Sequence, residues 1–189
     1  NFKKNNQFVP EILNILVLGG SQAAKSFGDL LPIIFEQCVK ENIKIKIFQQ
    51  CIESQVEKLN EIYKNLNIDF KLFKFTNNIS KYFSKTELAI TRSGSSITAE
   101  LINCRIPFIS IPYPYAADSH QEKNAIYFKE KGYGFLVKEN EVNEKLFPLI
   151  KLLYKDKKLL GKMIEKQKNH SDKKALFKIN RVIENLKNE

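Results

Sequence analysis

The sequence predicts an α/β domain wound around a parallel sheet of six strands. Six short runs rich in β-branched or aromatic residues alternate with amphipathic stretches at helical spacing. Several of those runs are apolar almost throughout, as strands covered on both faces are. Strand–helix alternation implies right-handed crossovers between parallel strands, and therefore a doubly wound, Rossmann-like sheet.

The expected strands are 12–18, 43–49, 68–73, 87–91, 107–111 and 133–137. Leu30, Leu31, Ile34, Phe35 and Cys38 recur at helical spacing between the first two, as do Val56, Leu59, Ile62, Tyr63 and Leu66 between the second and third. Past about residue 138 the strands stop, and three helical stripes follow: Leu146/Ile150/Leu153, Leu159/Met163/Ile164 and Ala175/Ile179/Val182/Leu186. Asp156 suits the N-cap of the second stripe, and Ser171 or Asp172 that of the third. Pro148 would remove a backbone bond from a helix begun at Asn143, so that helix starts later or bends. The expectation is one domain over 1–189, with a sheet core at about 10–138 and a helical tail at about 139–189.

A chain of 189 residues can bury a sizeable core, and 43% apolar with 28% charged residues excludes the disordered class. No apolar run approaches the roughly 20 residues of a membrane-spanning helix. The polar start NFKKNNQ has no signal-peptide character, and a first residue Asn1 suggests a piece of a longer protein. Cys38, Cys51 and Cys104 are odd in number and far apart, which argues against a disulfide framework. With His120 and His170 as the two histidines, a histidine-based metal cage is nearly excluded. The net charge of +10 has two readings: compositional drift towards Lys, Asn and Ile in an AT-rich genome, or attraction to an anionic membrane. Nucleic-acid binding is disfavoured because clustered Arg and an aromatic stacking stripe are lacking.

In doubly wound sheets ligands collect at the carboxyl ends of the strands, near the point where strand order reverses. Three loops there are unusual. Gly19-Gly20-Ser21-Gln22 follows the first strand and precedes a helix, so its backbone can approach a ligand and the helix start can face an anion. It is neither a Walker loop nor a GxGxxG fingerprint, and a plain tight turn remains an open alternative. Arg92-Ser93-Gly94-Ser95-Ser96 opens a second helix over 97–103. Glu100 lies one turn inside it, off the spacing of a capping box, and a carboxylate there can accept two bonds from a ribose diol. Arg92 either adds positive charge to the ligand site or is salt-bridged within the sheet end. The third loop is the proline-stiffened stretch 112–121, in which Gln121 and Asn124 share a helix face and carry amides suited to sugar hydroxyls. An ordinary helical turn would tolerate the same residues. His120 has one acidic neighbour in sequence, Asp118, and no nucleophile motif, which favours a solvent-facing or loop-packing ring.

Taken together, GGSQAAKSF at 19–27, FTNNI at 75–79, TRSGSSITAEL at 91–101 and IPYPYAADSHQEKNA at 111–125 resemble the C-terminal half of family 28 glycosyltransferases. These are the B-type enzymes that add N-acetylglucosamine (GlcNAc) to the lipid-linked cell-wall precursor, and the likeness covers nearly the whole chain. The resemblance implies that this half holds UDP-GlcNAc, while an N-terminal half absent from the chain binds lipid I and supplies the general base. No catalytic residue is then expected here. It further implies that Ser21 binds the diphosphate and that the backbone at Thr76 meets the uracil. Ser95, Ser96, Ile97, Thr98 and Ala99 line the diphosphate and nearby sugar. Glu100 clasps the ribose, and Gln121 and Asn124 orient the GlcNAc ring. Gly20, Gln22, Arg92, Gly94 and His120 are secondary candidates.

The chain departs from the family pattern at Ala23, where glycine is common, and at Ile97-Thr98, which invert the usual order. The implied chemistry is inverting transfer of GlcNAc to the C4 hydroxyl of N-acetylmuramic acid, forming lipid II. It needs no obligatory metal, because no DxD motif is present and two helix starts can stabilise the departing UDP. The implied location is peripheral, on the cytoplasmic face of the bacterial inner membrane. A donor-binding subunit of a two-chain GlcNAc transferase and a non-catalytic UDP-sugar module remain as alternatives.

Overall fold

The structure, a computed structural model, describes residues 12–170, with the backbone alone at 21–24. Strands β1 (Leu13–Leu18), β2 (Ile45–Gln50), β3 (Asp69–Phe73), β4 (Leu88–Thr91), β5 (Phe108–Ser110) and β6 (Gly134–Leu136) form one sheet. Helices α1 (Gly20–Lys40), α2 (Val56–Asn65), α3 (Ser80–Phe83), α4 (Ser95–Asn103) and α5 (His120–Glu130) connect them, and α6 (Val142–Lys155) and α7 (Lys157–Lys168) follow. All six strands expected from the sequence are present. The final stripe at 175–186 and the caps at Ser171 or Asp172 lie outside the described residues.

Sheet order is β3-β2-β1-β4-β5-β6, and every pairing is parallel. Ile15 sits between Ile47 of β2 and Leu88 of β4, so β1 is the strand from which the chain winds outwards in both directions. Alternation along β1 divides the core. Leu13, Ile15 and Val17 pack with Phe27, Leu31, Ile34 and Phe35 of α1, whereas Leu16 and Leu18 join Leu101 and Ile102 of α4. A strand apolar on both faces is what places α1 and α4 on opposite sides of the sheet.

The tail packs on the α1 side, where Leu146, Ile150 and Leu153 of α6 and Leu160 and Met163 of α7 belong to the same core as β1. Asp156 caps α7 by accepting from the Lys158 N–H at 3.0 Å. The buried Gln167 amide closes the far edge, donating to Ile106 O at 3.0 Å and Tyr133 O at 2.8 Å. Pro148 lies inside α6 rather than at its start, so the helix begins at Val142 and tolerates a missing N–H opposite Glu144 O. Pro148 is on the exposed face, where water can satisfy that carbonyl.

Against α1, the turn 53–55 approaches so closely that a Cβ on Gly28 would stand 2.4 Å from Gln55 Oε1. Gln55 is pinned there, donating to Lys25 O at 2.9 Å and Asp29 Oδ1 at 3.1 Å.

Candidate functional site

β1 hydrogen-bonds β2 on one side and β4 on the other, so the topological switch point lies between β1 and β4. The helices that leave these strands start side by side on opposite faces, which opens a crevice at the carboxyl end of the sheet.

Neither start is capped by its own N-cap residue, which is a glycine in both cases. Gly19 is the N-cap of α1 and contributes no side-chain bond. Gly20 has φ +70°, a left-handed conformation that glycine adopts freely, and a Cβ there would meet nothing within 4 Å. Backbone conformation rather than crowding therefore favours glycine at this position. The Gly20 N–H donates to Gln50 Oε1 at 3.1 Å, and Gln50 Nε2 donates to Lys74 O at 3.1 Å, tying the ends of β1, β2 and β3 together. Gly94, in extended conformation, is the N-cap of α4 and likewise offers no side-chain bond. The Thr98 N–H reaches back to Gly94 O at 3.2 Å, and its hydroxyl does so at 2.7 Å. The amides of Ser95, Ser96 and Ile97 receive no side-chain cap and present the positive end of the helix dipole to the crevice.

A cavity of about 330 Å³ fills this space. Gly19 and Gly20 form one wall, Gly94, Ile97 and Glu100 a second, and Phe73, Phe75, Thr76 and Ile79 after β3 a third. Gln50, Arg92 and Gln121 complete it. Glu100 is exposed, and its carboxylate has no hydrogen bond or ion pair among the described residues. Thr76 stiffens its own loop, its hydroxyl accepting from the Asn78 N–H at 3.1 Å.

The loop after β5 approaches from the other side. Asp118 and Ser119 have φ of 50° and 51°, two consecutive left-handed non-glycine residues that turn the chain sharply into α5. The Tyr113 N–H donates to Gln121 Oε1 at 3.0 Å, and Asn124 Nδ2 donates to Ser93 O at 3.0 Å. Each amide is thereby anchored by one end, leaving the Gln121 NH₂ and the Asn124 carbonyl oxygen without partners among the described residues.

Of the expected site residues, Gly20, Thr76, Arg92, Gly94, Ile97, Glu100 and Gln121 line one cavity. Ser95 and Ser96 stand exposed on the first turn of α4 beside it. Thr98 is buried with its hydroxyl engaged by the helix backbone, and Ala99 is half-buried. Asn124 is one turn behind Gln121, outside the lining. Ser21 and Gln22 fall in the first turn of α1, where the side chains are not among those described. His120 is exposed, with Nδ1 2.7 Å from Ala117 O. Gln50, outside every motif, also lines the cavity, as do Phe75 and Ile79, which belong to the 75–79 motif but had no role assigned within it.

Arg92 follows the salt-bridged alternative. It is 3% exposed, paired with Glu139 and held against the rings of Phe27 and Tyr113. Burial pulls its pKa below the usual guanidinium value, and the hydrogen bond and charge of Glu139 oppose that pull. A larger cavity of about 510 Å³ lies across the 112–115 loop, between Leu30, Tyr115 and Lys138. Neither the α1 nor the α4 start lines it.

A wholly parallel doubly wound sheet with two glycine-opened helix starts at its switch point is a Rossmann-like α/β domain. Residues 14–179 match the model of the glycosyltransferase family 28 C-terminal domain, and the chain belongs to that family. It is 38% identical over 135 residues to the UDP-N-acetylglucosamine–N-acetylmuramyl-(pentapeptide) pyrophosphoryl-undecaprenol N-acetylglucosamine transferase of Pelagibacter ubique, covering 71% of this chain and 38% of that protein. To the Campylobacter jejuni transferase of the same name it is 35% identical over 142 residues, covering 75% and 41%. The chain thus spans about two fifths of these relatives' length. Among solved structures, Acinetobacter baumannii MurG superposes with a TM-score of 0.81 at 26% identity, over 96% of this chain and 55% of that one.

Proposed function

We propose that the chain is the donor-binding part of an inverting N-acetylglucosaminyltransferase that converts lipid I to lipid II. In this reading UDP-GlcNAc lies in the 330 Å³ cavity while an N-terminal half presents lipid I. O4 of N-acetylmuramic acid bonds to C1 of GlcNAc, the C1–phosphate bond breaks with its electron pair leaving on UDP, and the O4 proton passes to a base in that N-terminal half. The observation that carries the reading is the convergence of two glycine-opened helix starts and an unpaired carboxylate, Glu100, on one crevice.

Each part has a chemical counterpart in the donor. The amides of Ser95, Ser96 and Ile97, with the α1 start at Ser21, face the diphosphate and stabilise the charge that grows on departing UDP. That electrostatic task is then met without a protein-held metal. Glu100 accepts from the ribose hydroxyls, the backbone at Thr76 meets the uracil edge, and the Gln121 NH₂ and Asn124 carbonyl address the sugar. The whole enzyme works as a peripheral protein at the cytoplasmic face of the bacterial inner membrane, where its polyprenyl substrate lies. The excess of lysine suits an anionic surface. No described helix is long and apolar enough to cross a membrane.

Calorimetric titration tests the donor site, and a turnover assay tests the role. The chain is expected to bind UDP-GlcNAc, and to release UDP from it in the presence of a lipid I analogue once joined to an N-terminal half. Failure to bind UDP-GlcNAc would refute the donor site. Binding without turnover in the joined protein would reduce the chain to a UDP-sugar module.

A further inference from the structure

Arg92 follows β4 directly, before the loop that opens α4, and its guanidinium gathers three separate segments. Nη1 donates to the carbonyls of Ile111 at 3.1 Å and Pro112 at 3.2 Å. Nη2 donates to Ser26 Oγ of α1 at 2.7 Å and pairs with Glu139, in the turn before α6. Ser26 in turn donates to the same Glu139 carboxylate at 3.1 Å. A planar fork can bridge groups in this arrangement, whereas an ammonium acts as a compact point charge.

The Pro112 carbonyl and the Tyr113 N–H are two ends of one peptide plane and, in a trans peptide, point in opposite directions. Arg92 grips the oxygen end, and the N–H end donates to Gln121 Oε1. With its oxygen committed there, Gln121 turns its NH₂ group outwards. Were the plane to rotate, the carbonyl would replace the N–H, and the Gln121 amide would turn over to offer an acceptor in place of its donors.

Resting on the donor reading above, we infer that Arg92 is a positioning residue for the sugar end of the donor. It acts through the 112–113 peptide to set which end of the Gln121 amide faces the ligand. The uridine and diphosphate contacts come from α1, α4 and the loop after β3, and do not pass through this relay. Arg92 therefore governs how much the GlcNAc moiety adds to binding, more than it governs binding of UDP.

The test is a calorimetric comparison of UDP and UDP-GlcNAc for the wild-type chain, Arg92→Lys and Ser26→Ala, each repeated in a Gln121→Ala background. Arg92→Lys is expected to lower the ratio of UDP-GlcNAc affinity to UDP affinity by about three- to tenfold, the span of one displaced hydrogen bond. Ser26→Ala, which removes one anchor of the fork at a residue outside the cavity lining, shifts the ratio in the same direction by a smaller factor. Both effects vanish when Gln121 is already alanine, because the relay has lost its end. Equal weakening of both ligands, an unchanged ratio in both variants, or an undiminished effect in the Gln121→Ala background would overturn the inference. A wild-type chain that binds neither ligand would instead remove the donor reading on which it stands. Should Arg92→Lys fail to fold, Ser26→Ala and its double variant decide alone.

Discussion

Replacing Glu100 with alanine removes an exposed carboxylate that no other described residue uses. Its place one turn inside α4, on the cavity wall, makes it an acceptor for both hydroxyls of a ribose diol. Hydrogen bonds to a charged group contribute about 1.5–3 kcal/mol each when well shielded. In a crevice open to water the pair together is better placed at about 2–3 kcal/mol, so UDP affinity should fall by about 30- to 150-fold. The fold should barely respond, since an exposed substitution without partners changes stability by less than about 0.5 kcal/mol and alanine favours the helix. Calorimetry with UDP and with 2′,3′-dideoxy-UDP, beside a thermal melt, separates these effects. The deoxy analogue should bind wild type and Glu100→Ala equally. If Glu100→Ala held UDP as tightly as wild type, or lost the deoxy analogue to the same extent, the ribose assignment would be refuted.

Further expectations concern the fold. Pro148→Ala gives Glu144 O its missing donor and should stabilise α6 by about 2 kcal/mol, the helix-interior cost of proline less what it saves in the unfolded chain; an unchanged or lower melting temperature would contradict this. Burial holds the Lys157 pKa below the usual lysine value, with Glu87 at 3.6 Å partly opposing the shift. The folded state then binds that proton less tightly than the unfolded chain, so the penalty is full below the folded pKa and fades as pH rises towards 10.5. Denaturant unfolding of Lys157→Met should show a gain over wild type at neutral pH that shrinks near pH 10.5, and a pH-independent difference would refute the coupling. Gly28→Ala drives a Cβ into the pinned Gln55 amide and should cost about 1–3 kcal/mol, visible as a lower urea midpoint.

Much of the architecture was legible because burial on both faces leaves a strong mark. β1 and β4 are apolar almost throughout, and the small-residue loops after them coincide with the switch point. Glu100, Thr76 and Gln121 converge there because their loops all lie at carboxyl ends of strands. Gln50 escaped notice because its importance comes from β1–β2 pairing, which sets a polar strand end beside Gly20, 30 residues away in sequence. Phe75 and Ile79 were visible only as parts of a motif, and a lone exposed aromatic carries no periodic signal. Arg92 was ambiguous for a similar reason, since its partners lie 66 residues upstream and on a turn beyond β6. Of the two options Pro148 left open, the later start is not taken, because the packing of Leu146, Ile150 and Leu153 sustains a helix from Val142 onward.

The central claim, that the two helix starts grip a nucleoside diphosphate, is tested most directly by titrating uridine, UMP and UDP into the chain with a metal chelator present. Each phosphate should strengthen binding by about 1–2 kcal/mol, or about five- to thirtyfold per step, and the gain should persist without divalent cations. Uridine binding as tightly as UDP, or UDP binding that requires a divalent cation, would contradict it.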